Sequence, residues 1–194
     1  MMTTHCTMRF AGISCRPLGS LVLLPLLAAV LCFAPGEARA QSKEYQVKAV
    51  FLRNFAQFVR WPASAFRDAA TPLTMGILGD DPFGDALEAA TRGESVGGRK
   101  IAIKRGRKAD DLKGCQLVFI GKGESSRLSE HLSALDGSSI LTIGESEAFC
   151  GSGGMINFTL DGATVGFEIN TSATKRAGLV VSSRLQQLGK IYRP

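Results

Sequence analysis

The stretch that decides the fold is residues 116–120, QLVFI, an almost continuous apolar run. A strand of this kind is buried on both faces, as in a parallel sheet covered by helices on both sides. Further strands, separated by helical stretches, are predicted at Leu73–Leu78, Lys100–Arg105 and Ser139–Ile143. This alternation predicts an α/β fold: a single three-layer domain with a mixed, largely parallel sheet flanked by helices.

The end of the chain departs from the alternation. Gly154–Leu160 and Thr164–Asn170 are predicted as two strands of a β-hairpin, with Gly162 available for the left-handed position of the turn. Apolar residues at helical spacing across residues 181–192 then predict a closing helix. The C-terminal part is therefore expected to be a β-hairpin plus a helix.

The first helix is predicted from Lys43 to Arg60, because Pro62 disfavours helix at the residue before it. Its apolar arc contains two polar residues, Lys48 and Asn54. Since a buried polar group without a partner is costly, each is expected to have a specific partner or to lie at the edge of a groove. The alternative is that Lys48 extends its amine to water and Asn54 bonds nearby backbone.

Residues 1–40 are predicted to be a signal peptide. Basic residues precede an apolar run at Leu18–Phe33, which is shorter than the roughly 20 residues that cross a bilayer, and small residues at Ala38–Ala40 suit a signal peptidase. A lipoprotein processed at Cys32 is the alternative, although the bulky Leu31 precedes that cysteine. The mature protein is expected to be exported to the periplasm.

The mature chain, residues 41–194, keeps 154 of the 194 residues, which suffices for one domain. The leader carries three of the 23 basic residues and one of the 17 acidic ones, so the net charge falls from +6 to +4. This modest charge gives little support to nucleic-acid binding.

Two cysteines remain after cleavage, Cys115 and Cys150. In an oxidising compartment they are candidates for one disulfide, and two buried thiols are the equally open alternative. Together with His131 they do not complete a four-ligand zinc site without carboxylates, and no metal site is predicted.

No catalytic constellation is recognisable. Gly121–Gly123 lies where a phosphate loop would lie, but Ser126 replaces the third glycine of a dinucleotide motif, which favours a plain connecting loop. His131 is the mature chain's one imidazole, no Gly-x-Ser-x-Gly elbow accompanies it, and it is interpreted as a solvated surface histidine. Asp81 is interpreted as a helix cap before Pro82. Neither an enzyme nor a cofactor is expected.

The hairpin is more informative. Glu168 and Asn170 share the polar face of its second strand, beside hydrophobic residues. They are candidates to line a groove for a ligand or a partner, and the alternative is the wet face of an edge hairpin.

Read together, these segments resemble the YfiR family of exported proteins over nearly the whole mature chain. No single motif would suffice, but their order and spacing are specific. The matching segments are Lys48–Phe51, Asn54–Ala56, Phe58–Val59, Trp61–Pro62, Gly79–Gly84, Phe149, Gly153–Ile156, Phe158, Phe167–Asn170, Ala177–Leu179 and Ser182–Ser183.

The resemblance implies a regulator without catalytic activity. Family members are periplasmic homodimers that bind the sensor domain of an inner-membrane diguanylate cyclase and hold down cyclic di-GMP synthesis, with consequences for biofilm regulation. An outer-membrane lipoprotein can sequester the repressor. By similarity, Glu168 and Asn170 lie near a groove for hydrophobic partner residues or small ligands, with Ile156 as an apolar wall.

The cysteine pattern departs from the family. Relatives carry four cysteines in two bridges, and two of those positions correspond here to Gly76 and Asn157. Cys115 and Cys150 therefore lack their usual partners.

Two functional alternatives stay open: a periplasmic small-ligand-binding protein serving a sensor kinase or transporter, and, with less support, a hydrolase.

Overall fold

The computed structural model describes the backbone of residues 35–193 and the side chains of residues 42–193. Residues 1–34, which hold most of the predicted signal peptide and the alternative processing site at Cys32, lie outside this part. The chain divides after Glu37, and the unit Ala38–Pro194 is the domain described below. Within the described residues, no helix combines the length and apolarity needed to cross a membrane.

The described residues form five α-helices, ten strands and three short 3-10 helices. The α-helices are α1 (Pro35–Phe58), α2 (Ala86–Thr91), α3 (Leu128–Leu135), α4 (Thr171–Arg176) and α5 (Ser183–Leu188). The strands are β1 (Val59–Arg60), β2 (Leu73–Leu78), β3 (Ser95–Val96), β4 (Arg99–Gly106), β5 (Leu117–Ile120), β6 (Leu141–Gly144), β7 (Ile156–Asp161), β8 (Thr164–Ile169), β9 (Val180–Val181) and β10 (Lys190–Ile191). The 3-10 helices are Ala63–Ala65, Ala109–Leu112 and Lys122–Arg127.

Eight strands form one sheet in the order β10-β8-β7-β6-β5-β2-β4-β3. The five strands from β7 to β4 in this order are parallel to one another, and β10 is parallel to β8. β3 is antiparallel to β4, and β8 to β7. The predicted mixed, largely parallel sheet and its hairpin are confirmed; β1 and β9 form a separate antiparallel pair.

Residues of the central strands alternate between two buried layers. Leu117 and Phe119 of β5 face the larger hydrophobic cluster, to which α1, α2, α4 and α5 contribute. Val118 and Ile120 face a second cluster formed with α3 and the 3-10 helix Ala109–Leu112. A strand buried on both sides requires this continuous apolar sequence, and the three-layer prediction is confirmed.

Phe149 fixes the second layer beside the carboxyl end of β6. Its ring lies against Gly144 and Gly154, where an added Cβ atom would stand 2.1 and 2.2 Å from ring carbons. Only glycine permits so close an approach at both positions. The segment after β6 is thereby packed onto the sheet.

Several element boundaries differ from the prediction. α1 ends at Phe58 because the next two residues pair with β9. The predicted closing helix is divided into β9, α5 and β10. Gly189 lies between α5 and β10, and a Cβ atom there would stand 2.3 Å from the Phe167 ring. The spacing of apolar residues in the sequence does not predict the helix α4.

Asp81 is not an α-helix cap. Its Oδ1 accepts the N–H of Phe83 at 2.8 Å, its Oδ2 lies 2.6 Å from Arg105, and α2 begins only at Ala86. This Asx turn, rather than a helix start, occupies the loop after β2.

Candidate functional site

A groove opens where β6 ends and β7 continues. The last residue of β6, Gly144, pairs with Asn157, so residues 158–161 of β7 extend beyond it. Ligands of α/β proteins bind beyond the carboxyl ends of parallel strands, at this edge of the sheet. The opening measures about 620 Å³ and is called the Lys48 groove below; it is lined by Lys48, Lys122, Ser125, Glu145, Ser146, Glu147, residues 157–160 and Glu168.

A buried ion cluster closes the inner end of the Lys48 groove. The Lys48 Nζ lies 2.6 Å from Glu145 Oε2, and these side chains are only 3% and 5% exposed. The same amine donates to Glu44, one helical turn earlier on α1. The ion pair joins α1 to the loop after β6, since α1 carries the cation and that loop supplies the anion.

Neutral donors complete the environment of Glu145. The Tyr45 hydroxyl donates to Glu145 Oε1 at 3.0 Å, and the backbone N–H of Lys122 donates to the same oxygen at 3.0 Å. Burial raises the pKa of Tyr45 well above its usual range, and the negative charge of Glu145 raises it further. Tyr45 is therefore a neutral hydrogen-bond donor rather than an acid–base group at neutral pH.

The amine of Lys48 also lies over aromatic rings. Its Nζ is 4.6 Å from the centroid of Tyr45 and 5.6 Å from that of Phe158. Cation–π contacts of this kind stabilise an ammonium that has lost water. Lys48 thus has the specific partners expected of a polar residue in an apolar arc, and the alternative of an amine extended to water is wrong.

Asn54, the other polar residue of that arc, is half-buried. Its Oδ1 accepts a hydrogen bond from the Arg53 guanidinium at 3.1 Å. The partner is thus a neighbouring side chain rather than backbone.

The hairpin forms the outer wall of the groove. Asn157 and Glu168 are cross-strand partners, and the Asn157 Nδ2 donates to Glu168 Oε1 at 3.2 Å. Leu160, near the tip of the hairpin, is 55% exposed. The wall therefore offers one carboxylate and one exposed aliphatic side chain, which suits a surface for binding.

Of the three site residues suggested by sequence, the structure brings only Glu168 to the groove. Ile156 is fully buried in the larger hydrophobic cluster, paired with Ile143 on one side and Ile169 on the other. As a core residue of an interior strand, it does not line the groove wall.

Asn170 caps α4 instead of facing a ligand. Its Oδ1 accepts the N–H of Ala173 at 3.0 Å, and its Nδ2 donates to the Cys150 carbonyl at 3.0 Å. Both ends of the amide are occupied by backbone, as is typical of a buried N-cap.

Cys115 and Cys150 are both free and buried. Cys115 lies in the second hydrophobic cluster, and a Cβ atom at Gly76 would stand 3.2 Å from its sulfur. The Cys150 thiol lies beside Glu168 and the backbone of Asn157; burial, then the charge of Glu168, raises its pKa to about 12. Cys115 thus neighbours Gly76 and Cys150 neighbours Asn157, and the structure has the arrangement of two buried thiols.

His131 is buried rather than solvated. It is 1% exposed, on the same face of α3 as Leu128 and Leu135, and its Nε2 lies 2.8 Å from Glu124 Oε2. The expectation of a surface histidine is wrong, because this face of α3 packs on the sheet. Among the described residues, no group of three or more histidine, cysteine or acidic side chains is arranged to hold a metal ion.

Glu145 and Tyr45 are the site residues that sequence reasoning missed. Glu145 directly follows a predicted parallel strand, which places it at the carboxyl edge where grooves form. Its position directly after that strand is the feature of the sequence that could have identified Glu145 as a site residue. Nothing in the periodicity of α1 distinguishes Tyr45 from an ordinary core aromatic residue.

The fold and this groove define a three-layer α/β domain with a binding surface built around a buried ion pair. The chain belongs to the YfiR/HmsC-like family, whose model matches residues 45–190. This is a family of periplasmic regulatory proteins. No curated protein matches the chain.

Two solved structures show distant likeness. A conserved domain protein from Vibrio cholerae O1 biovar El Tor N16961 is 10% identical, with a TM-score of 0.46 over 62% of this chain. An ABC domain in complex with L-Trp from Streptococcus pneumonia is 11% identical, with a TM-score of 0.47 over 61% of this chain. The match spans 55% of the length of each.

Proposed function

We propose that this protein is a periplasmic repressor that binds the sensor portion of an inner-membrane diguanylate cyclase and lowers cyclic di-GMP synthesis. The family match over residues 45–190 carries the proposal. Repression of this kind requires tighter binding to the inactive sensor than to the active one. Shifting the sensor from 1:99 to 99:1 takes about 5.5 kcal/mol of differential binding.

The Lys48 groove is the proposed docking surface on each subunit of a homodimer. Leu160 supplies an exposed aliphatic contact, and Glu168, which pairs with Asn157 on the other face of the hairpin, supplies a charge to the same groove. Interfaces concentrate their binding energy in a few such contacts that become fully desolvated. An outer-membrane lipoprotein that covered the same groove would release the cyclase.

The test is retention of the cyclase by the tagged mature protein, residues 41–194, on solubilised membranes. Leu160→Asp is expected to weaken retention at least tenfold, because it places a carboxylate in an apolar contact. The matched control is Leu188→Asp, which changes another exposed leucine, 66% exposed, outside the groove. Equal retention of both variants would exclude the groove as the docking surface, and failure to retain any cyclase would count against repression by binding.

A second candidate is a periplasmic small-ligand-binding protein that serves a sensor kinase or transporter. The size of the groove favours it, since small-molecule sites commonly measure about 300–1,000 Å³. Neighbouring genes separate the two candidates: a cyclase gene supports repression, whereas a histidine kinase or transporter gene supports ligand delivery.

A further inference from the structure

The outer edge of β4 lies at one end of the eight-stranded sheet and is largely uncovered. On its inner side, residues 101–106 of β4 pair with β2. On its outer side, the short strand β3 reaches only Arg99 and Lys100. In the part of the chain that the structure describes, no strand pairs with the outer side of residues 101–106. An unpaired edge of this length offers backbone N–H and C=O groups to another extended segment.

A groove of about 810 Å³ runs beside this edge. Ile101 and Ile103, half-buried on the α2 side of β4, form its apolar floor, and residues 91–95 form the facing wall. A peptide that pairs with a strand directs alternate side chains to one face. The groove can therefore receive every second side chain of an added strand, which is the arrangement that gives specificity in strand addition.

The charges around the groove favour an acidic occupant. Its two glutamates are already engaged: Glu88 lies 2.6 Å from Arg105, and Glu94 lies 3.0 Å from Arg53. The exposed cations Arg92, Lys100 and Lys104 line or flank the edge, and none forms an ion pair with a described residue. The charge left without a partner is thus positive.

The same cations disfavour a second copy of this chain as the occupant. Pairing of two β4 edges through residues 101–106 would bring Lys104 and the flanking Lys100 of one copy close to those of the other. Like charges in cross-strand positions are destabilising. Lysines on an edge strand also discourage aggregation. If protection against aggregation were the sole role of these lysines, the edge would bind no peptide.

We propose that the outer edge of β4 is a docking site for an extended acidic segment of a partner protein, which adds to the sheet as a further strand. The inference goes beyond the proposed function, because it does not depend on the partner being a cyclase. The acidic side chains neutralise Lys100 and Lys104, and the alternate apolar side chains cover Ile101 and Ile103.

The test uses the mature protein, residues 41–194, and a capped synthetic peptide of sequence TEVDVEVT. Fluorescence anisotropy measures binding, and amide hydrogen exchange followed by NMR locates it. The expected result is binding that weakens with added salt, together with slower exchange of amides within residues 101–106. A peptide with lysine in place of each acidic residue, and one with proline in place of the central valine, are expected not to bind.

The double variant Lys100→Glu/Lys104→Glu is expected to bind the acidic peptide about tenfold more weakly, because two exposed attractions become repulsions. Both side chains are exposed, so the variant is expected to fold. Lys190→Glu, on the opposite edge strand β10, is the matched control and is expected to bind normally.

The proposal would be overturned by no binding of the acidic peptide at millimolar concentration, by equal weakening by Lys190→Glu, or by slowed exchange confined to amides outside β4. Concentration-dependent dimerisation that slows exchange of the β4 amides without any peptide would also overturn it, since a second copy would then occupy the edge.

Discussion

Replacing Lys48 by methionine removes the cation of the buried cluster while keeping most of the length of the side chain. In the folded protein, Lys48 is 3% exposed and faces two carboxylates, of which Glu145 is 5% exposed and Glu44 25% exposed. The substitution leaves Glu145 with hydrogen-bond donors but without a counter-charge. Breaking a buried ion pair by removing one partner costs about 3–5 kcal/mol.

Thermal and urea denaturation of the mature protein, followed by circular dichroism, measure this cost. At about 2–4 °C per kcal/mol for a domain of this size, the melting temperature is expected to fall by roughly 6–20 °C. Lys43→Met, an exposed lysine on the same helix, is the matched control and is expected to change stability by less than about 0.5 kcal/mol.

The double variant Lys48→Met/Glu145→Gln separates a lost ion pair from lost packing. Because the neutral amide does not require a cation, the double variant is expected to recover at least about 1 kcal/mol relative to Lys48→Met. A loss no larger than that of Lys43→Met, or a double variant whose losses simply add, would refute the description of this cluster as a buried ion pair.

Three further predictions concern the two cysteines and the cap of α4. Gly76→Cys is expected to form a disulfide with Cys115, because a Cβ atom at position 76 would stand 3.2 Å from the Cys115 sulfur. The loop that this disulfide closes predicts a gain in stability of about 4 kcal/mol. Titration of thiols in denaturant should find one free thiol, and three free thiols would contradict the prediction. Asn170→Ala is expected to cost about 1–2 kcal/mol in urea denaturation, since it removes the cap of α4, whereas an unchanged midpoint would argue against that role. Burial raises the pKa of Cys150 to about 12, against about 8.5 in an unfolded chain, so the folded state holds this proton more tightly. The unfolding free energy is therefore expected to fall as the pH rises above about 8.5, by about 1–2 kcal/mol between pH 8 and pH 10. In Cys150→Ala this decline should be smaller, and an equal decline in both proteins would assign it to other groups.

Much of the architecture is predictable because burial leaves a direct mark on sequence. The LVFI sequence of β5, residues 117–120, is apolar at consecutive positions because one residue faces each layer in turn. Lys48 is predictable as a residue with a specific partner because a lone amine in an apolar arc is costly. In both cases the residues of a single segment are enough to make the prediction.

The remaining features depend on where separate segments meet. Glu145 joins the site only because β6 ends where α1 passes over it. The family resemblance implies that Ile156 is an apolar wall of a groove, but pairing with Ile143 of β6 buries it in the sheet. Such residues require the strand order, which a single sequence does not specify. His131 is different, because Leu128, Leu132 and Leu135 mark its helix face as apolar and could have predicted its burial.

Measurement of intracellular cyclic di-GMP in a strain lacking this gene tests the central claim most directly. The strain is complemented either with the full chain or with residues 41–194 alone, which cannot be exported. Repression by the exported protein predicts a raised level in the deletion strain that returns to normal only with the exported form. An unchanged level across growth conditions, or equal rescue by the form without the leader, would contradict it.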